Sequence, residues 1–289
     1  MENAMTATSA AATTAGTLTR TATLVVLGAS SRLTEAARIL HNGDHASALR
    51  VVLISTASDP APDVPSELDL VAIGGLRPEY VNNAIAGVRL SSLPTVVWWR
   101  GGRPEALDGV ASLSDRVILD DENPRPLWER VGSFVDHTAF TDLRWARLTR
   151  WRAAMAHFFD LAEVREAAGS FSSLKIAGTD RDQCALFAGW LDSSLGWKGR
   201  VVPVFADGRT DAPIESVALG GNEGQLVLRL LPNSTCIDTK VELASRVLAS
   251  RVVSAGDTRL ATLLAEELRV RSRDLAFERA LHSALALRR

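Results

Sequence analysis

Three places in the sequence put side chains or backbone where chemistry could occur. Gly28-Ala29-Ser30-Ser31 closes an apolar run, and a turn from strand to helix can cradle a phosphate on backbone N–H groups. Asp120, Asp121 and Glu122 follow another apolar run, from which carboxylates can hold a hard cation. Arg and Trp interleave in DLRWARLTRWR, Asp142 to Arg152, and adjoin in Trp98-Trp99-Arg100. Arg beside Trp can stack, donate paired hydrogen bonds and bury area, which is the chemistry of protein interfaces.

The first two places complete no motif. GASS is not GxGxxG, no GxxxxGK[ST] occurs, and Gly74-Gly75 runs into Leu76-Arg77 rather than a phosphate-binding helix start. A tight turn explains Gly28 to Ser31. The acidic trio reads as a solvated loop or a helix cap. His41, His45, His137, His157 and His282 are scattered without HExxH spacing, and there is no GxSxG elbow. Cys184 and Cys236 form no CxxC pair. They read as two buried reduced thiols, with one disulfide as the alternative. Nothing assembles a nucleophile, a base and an orienting group, and no cofactor or metal motif is expected, though a missing motif does not by itself exclude catalysis. Seven tryptophans against a single tyrosine remain. Trp98 and Trp99, being adjacent, point to opposite faces of their strand.

The elements that must position these residues follow from periodicity. Runs at Thr23–Gly28, Leu49–Ile54, Leu68–Ile73, Leu93–Gly102 and Val117–Leu119 alternate with helical patterns near 33–40, 78–91 and 126–137. Alternation of this kind predicts an α/β domain with a mainly parallel sheet over 21–140, preceded by a disordered tail, 1–20, and carrying a Pro-rich loop at 57–67. Leu148, Trp151, Met155, Phe158 and Phe159 share one helical face, with Thr149 as the expected N-cap, so 141–170 reads as a junction helix. Its arginines are then either solvated, paired within the chain, or part of an interface. Beyond it, a strand at 174–177, a helix capped by Asp180 or Asp182 and stopped by Gly196, and strands near 200–205, 214–219, 225–231 and 235–253 predict an α+β domain over 171–289. Its sheet is mainly antiparallel, and two helices close it near 258–269 and 274–286, the first with Asp257 as N-cap. The net charge of −2 gives no field for nucleic acid or an anionic membrane. No apolar run reaches the ~20 residues that span a bilayer, and the N-terminus is not a secretory signal, so the reading is cytoplasmic.

LPTVVWWRGG (Leu93–Gly102), SDRVILDD (Ser114–Asp121), DLRWARLTRWR with FAGWLDSSLGW (Phe187–Trp197), and LATLLAEELRVRSRDLAFERAL (Leu260–Leu281) together resemble the OpcA family, the glucose-6-phosphate dehydrogenase assembly proteins. Phe277 stands where that family commonly has an aromatic such as Tyr. The resemblance implies a non-catalytic partner that binds glucose-6-phosphate dehydrogenase and promotes its active oligomer. Placed on that reading, Trp98, Trp99, Arg100, Arg144, Trp145 and Arg147 are the candidate partner-binding residues. Two other readings are carried. One is a nucleotide- or sugar-phosphate-binding enzyme or sensor using the strand ends of the first domain. The other is single-stranded nucleic-acid binding by the Arg/Trp segment, which the charge balance disfavours.

Overall fold

The computed structural model describes residues 21–42, 48–56, 70–74, 78–90, 92–132, 137–232, 235–270 and 272–287. The tail 1–20, the loop 57–67, Gly43, His45 and Gly75 lie outside them.

The first half alternates strongly. β1 (Ala22–Gly28) leads to α1 (Ser30–His41), then β2 (Leu49–Ser55), β3 (Leu70–Ile73), α2 (Val81–Val88), β4 (Thr95–Trp99), α3 (Leu107–Ser112), β5 (Arg116–Leu119), α4 (Arg125–Val131) and β6 (Ala139–Asp142). All six strands run parallel in the order β3-β2-β1-β4-β5-β6. Every residue of β1, β4, β5 and β6 is buried, as a sheet covered on both faces requires. β6 escaped the sequence reading: it has four residues, AFTD, too few to show a period. The helix expected over 126–137 ends at Val131.

The junction is not one helix. Asp142 caps α5 (Leu143–Arg147), Leu148 breaks the run, and α6 (Thr149–Phe158) and α7 (Ala162–Ala167) follow. Thr149 does not cap; its hydroxyl donates back to the Ala146 carbonyl at 2.8 Å. A buried carboxylate on a residue with extended backbone holds the first turn instead.

The second half contains β7 (Phe171–Ala177), α8 (Arg181–Leu195), β8 (Pro203–Ala206), β9 (Ser216–Gly221), β10 (Gly224–Leu230), β11 (Cys236–Leu243), β12 (Arg246–Ser254), α9 (Leu260–Arg269) and α10 (Leu275–Ala286). The sheet order is β12-β11-β10-β9-β7-β8, antiparallel except for the β7/β8 pair. Asp180 caps α8, and Gly196 ends it at φ 63°. Arg259, not Asp257, is the N-cap residue of α9; Asp257 instead accepts from the Arg259 N–H and the Thr262 hydroxyl. α8 and α10 touch backbone to backbone. A Cβ on Gly189 would stand 2.2 Å from the Ala280 carbonyl oxygen, so glycine alone fits there.

One apolar cluster runs unbroken from Val97 and Trp99 through Trp145, Trp151 and Met155 to Leu219, Leu228 and Phe277. The opposite face of the parallel sheet, with Leu24, Val26 and Trp98, is covered by α1 and by Leu263 and Leu264 of α9. A closing helix thus returns to the first half of the chain. Trp151 lies in the continuous cluster and is buried. Trp151→Ala should lower unfolding free energy by roughly 3–5 kcal/mol. Denaturant melts measure this, and a loss under about 1 kcal/mol with intact folding would contradict that packing.

Candidate functional site

Arg100 follows β4 at the carboxyl edge of the parallel sheet. In this strand order the edge between β1 and β4 is where the direction of winding reverses, the usual ligand crevice of doubly wound sheets. Here the chain fills it. The Arg100 guanidinium is 3% exposed and donates from Nε to Asp120 at 3.0 Å, from one amino group to Glu35 at 2.8 Å, and from the other to the Arg32 carbonyl at 2.7 Å. It lies 4.6 Å from the centre of the Trp98 ring. Arg32 bridges to Glu122 at 3.1 Å. Gly28 approaches so closely that a Cβ there would be 3.3 Å from that of Arg100. Asp120 and Glu122 are therefore counterions to arginines, and among the described residues no His/Cys/Asp/Glu group could hold a metal ion.

The junction residues form a second network. Asp142 is wholly buried. One oxygen accepts from the Arg144 N–H at 2.8 Å and the other from the Trp128 indole at 2.9 Å. Burial lifts its carboxyl to about 6, against the pull of nearby Arg144 and of its hydrogen bonds. Arg144 donates from Nε to Asp180 at 2.9 Å and to the Asp121 carbonyl at 2.8 Å. The Trp145 indole donates to Asp274 at 2.7 Å, and the Arg152 guanidinium stacks 3.5 Å above its ring. Burial pulls Arg152 down to about 10, which leaves it charged at neutral pH.

These positions sort the sequence candidates. Trp98, Trp99 and Trp145 are enclosed, and Arg100 is closed in by its ion pairs, so none of the four presents its side chain to solvent. Trp98 and Trp99 do point to opposite faces, one into each apolar cluster. Arg144 is half-buried and internally bonded. Arg147 is half-exposed, without an ion pair among the described residues. The two cysteines are not joined. Cys184 is buried, with its thiol pushed up to about 12 by desolvation, and Cys236 is partly buried.

A site the sequence reading did not name lies on the outer face of the second sheet. Its strands alternate buried and accessible residues, most regularly in β11, and α6 and α8 cover one face only. On the other, a groove of about 1150 Å³ runs over Lys175, Ala177, Ala218 and Arg229, walled by the segment around Arg209 and by Leu231 and Pro232. The signal was there: Lys175 and Arg229 each sit one residue from buried apolar neighbours, at strand period.

Removing the Arg100 guanidinium leaves Asp120 only the longer contact to Arg32, at 3.9 Å. Arg100→Ala should cost roughly 3 kcal/mol of stability. Thermal or denaturant melts decide it, and an unchanged midpoint would mean the cluster is idle. Asp142→Asn should expose the competition around that carboxyl. The folded state holds the Asp142 proton more tightly than the unfolded chain, so this group's contribution to stability falls as pH rises from 3.8 to about 6. The amide loses one acceptor, at a cost of about 1–3 kcal/mol. That deficit should be largest near pH ~4 and shrink towards neutrality. A deficit that grows with pH would show the anion to be the favoured buried form.

Residues 138–281, from β6 to α10, match the family model of the C-terminal domain of the glucose-6-phosphate dehydrogenase subunit. LPTVVWWRGG and SDRVILDD lie outside the match. None of the curated proteins matches the chain. Among solved structures, an aldose-aldose oxidoreductase from Caulobacter crescentus complexed with glycerol aligns at 10% identity and TM-score 0.49, covering 93% of this chain and 96% of that one. An oxidoreductase from Sinorhizobium meliloti aligns at 12% identity and TM-score 0.46, covering 93% and 88%. The apo form of a levoglucosan dehydrogenase aligns at 11% and 0.42, covering 93% and 89%. Likeness at this level carries no argument about activity. The matched domain, holding the WxRLTxWR segment of the junction and the GWLxxxLGW segment at the end of α8, places the chain in the OpcA family of glucose-6-phosphate dehydrogenase assembly proteins.

Proposed function

We propose that this chain is a non-catalytic partner of glucose-6-phosphate dehydrogenase, which binds the enzyme in the cytoplasm and favours its active oligomer, so supporting the oxidative pentose phosphate pathway. The observation that carries the reading is the family match over residues 138–281. The filled strand-end crevice supports it: the place where a nucleotide or sugar phosphate would sit in a sheet of this order holds Arg100 and its carboxylates. That weighs against the ligand-binding enzyme reading. No helix among the described residues is long and apolar enough to cross a membrane. Of the six sequence candidates, Arg147 is the one whose side chain is partly accessible and closes no ion pair among the described residues.

A binding partner shifts an assembly equilibrium only by its preference for one state over the other. The isolated protein should therefore show no dehydrogenase activity, yet raise the rate of the cognate enzyme or lower its apparent KM on titration. Steady-state rates at several substrate levels measure both parameters. A flat response in each, or turnover by this chain alone, would overturn the proposal.

A further inference from the structure

The outer face of the second sheet has charge, shape and apolar surface that no helix among the described residues covers. The registers of β7, β9 and β10 place Lys175 beside Ala218 and Val227, and Ala177 beside Ser216 and Arg229. Small side chains on the floor let another molecule approach the backbone closely. Lys175, Arg209 and Arg229 are exposed, and none closes an ion pair among the described residues. The carboxylates nearby are otherwise engaged. Asp207 pairs with Arg181, Glu215 accepts from the backbone N–H groups of Arg209 and Thr210, and Glu242 pairs with Lys240. Asp238 stands opposite Arg229 in register without closing a pair. The groove thus sets three cations that close no ion pair, Lys175, Arg209 and Arg229, against two carboxylates that close none, Glu215 and Asp238, a small excess of positive charge among the described residues.

We infer that this face is the docking surface for an acidic surface of the dehydrogenase, an inference that rests on the function proposed above. Scale favours a protein over a small anion. Lys175 and Arg229 are two strands and one register row apart, roughly 12 Å between Cα atoms, a gap that their long side chains can close on one anion, so the choice rests on the spread of apolar surface around them. Val204 on β8 and Val252 on β12, 59% and 57% exposed, mark the two edges of the same sheet. Those edges are separated by five strand spacings, about 24 Å. Only a macromolecule covers both valines and the cations between them. A second copy of this chain would bring the same unmatched cations face to face, which costs binding energy. A surface carrying two or more carboxylates at matching spacing, among apolar side chains, fits the charge and the shape.

The test uses the full chain with its cognate dehydrogenase. The double charge reversal Lys175→Glu with Arg229→Glu should weaken binding by roughly thirtyfold at low salt while leaving the melting temperature unchanged. The wild-type affinity should itself fall with added salt, narrowing the gap. If the reversal variant melts early, the milder pair Lys175→Ser and Arg229→Ser carries the comparison. A reversal variant that binds as tightly as wild type overturns the docking site and leaves the functional reading intact. Wild-type protein that does not bind the enzyme at all overturns both. Inorganic phosphate titrated into the chain alone tests the small-anion alternative, and sedimentation tests the second copy. Saturable phosphate binding, or a self-dimer, that the reversal abolishes would assign the groove to that occupant instead.

Discussion

Three aspartates hold this structure at its centre. Asp142, Asp180 and Asp274 are each a helix N-cap, and each divides its carboxylate in the same way. One oxygen accepts from backbone N–H groups of its own helix, and the other accepts from a side chain of a different element: Trp128 to Asp142, Arg144 to Asp180, Trp145 to Asp274. A cap alone contributes about 1 kcal/mol. Sharing the same carboxylate with a remote donor adds orientation, because the helix cannot move without breaking a buried charge-assisted bond. Two of the three donors come from α5, which has five residues. That short helix is thereby fixed to α4, α8 and α10 together, and the apolar cluster closes around it.

This arrangement explains where the tryptophans and arginines go. In DLRWARLTRWR, the indole of Trp145 is held between Asp274 and the face of Arg152, and Arg144 is held by Asp180 and the Asp121 carbonyl. The same logic operates at the edge of the parallel sheet, where Arg100 gathers Asp120 and Glu35. A segment rich in Arg and Trp has the composition of a protein interface, and here most of it forms an interface inside one chain. Lys175, Arg209 and Arg229, which close no ion pair among the described residues, lie on the far side of the second sheet.

How far this was legible in the sequence depends on the length scale of each signal. The parallel sheet was readable because strands such as TLVVLG are apolar throughout, and the hairpins of the second sheet because Gly and Asn separate alternating runs. Asp180 and Gly196 were readable as cap and stop because both act locally. The break at Leu148 was not: the apolar positions on either side keep helical phase, and the stop comes from Asp142 starting one helix and Leu148 leading into the next. The internal pairing of Arg100 had no local signal, since its acceptors lie 65 and 20 residues away in sequence. The cationic groove was missed for the opposite reason. Each of its residues looks like an ordinary solvent-facing strand position, and only the pairing of strands shows that Lys175 and Arg229 share a face without a closed ion pair among the described residues.

The most direct measurement of the central claim is hydrogen–deuterium exchange of this chain with and without its cognate dehydrogenase. The account predicts slowed exchange in β9, β10 and the segment around Arg209 when the enzyme binds, with β4 and α5 unchanged because they are already closed within the chain. Slowing confined to α5 and the start of α6, with the second sheet unaffected, would contradict it.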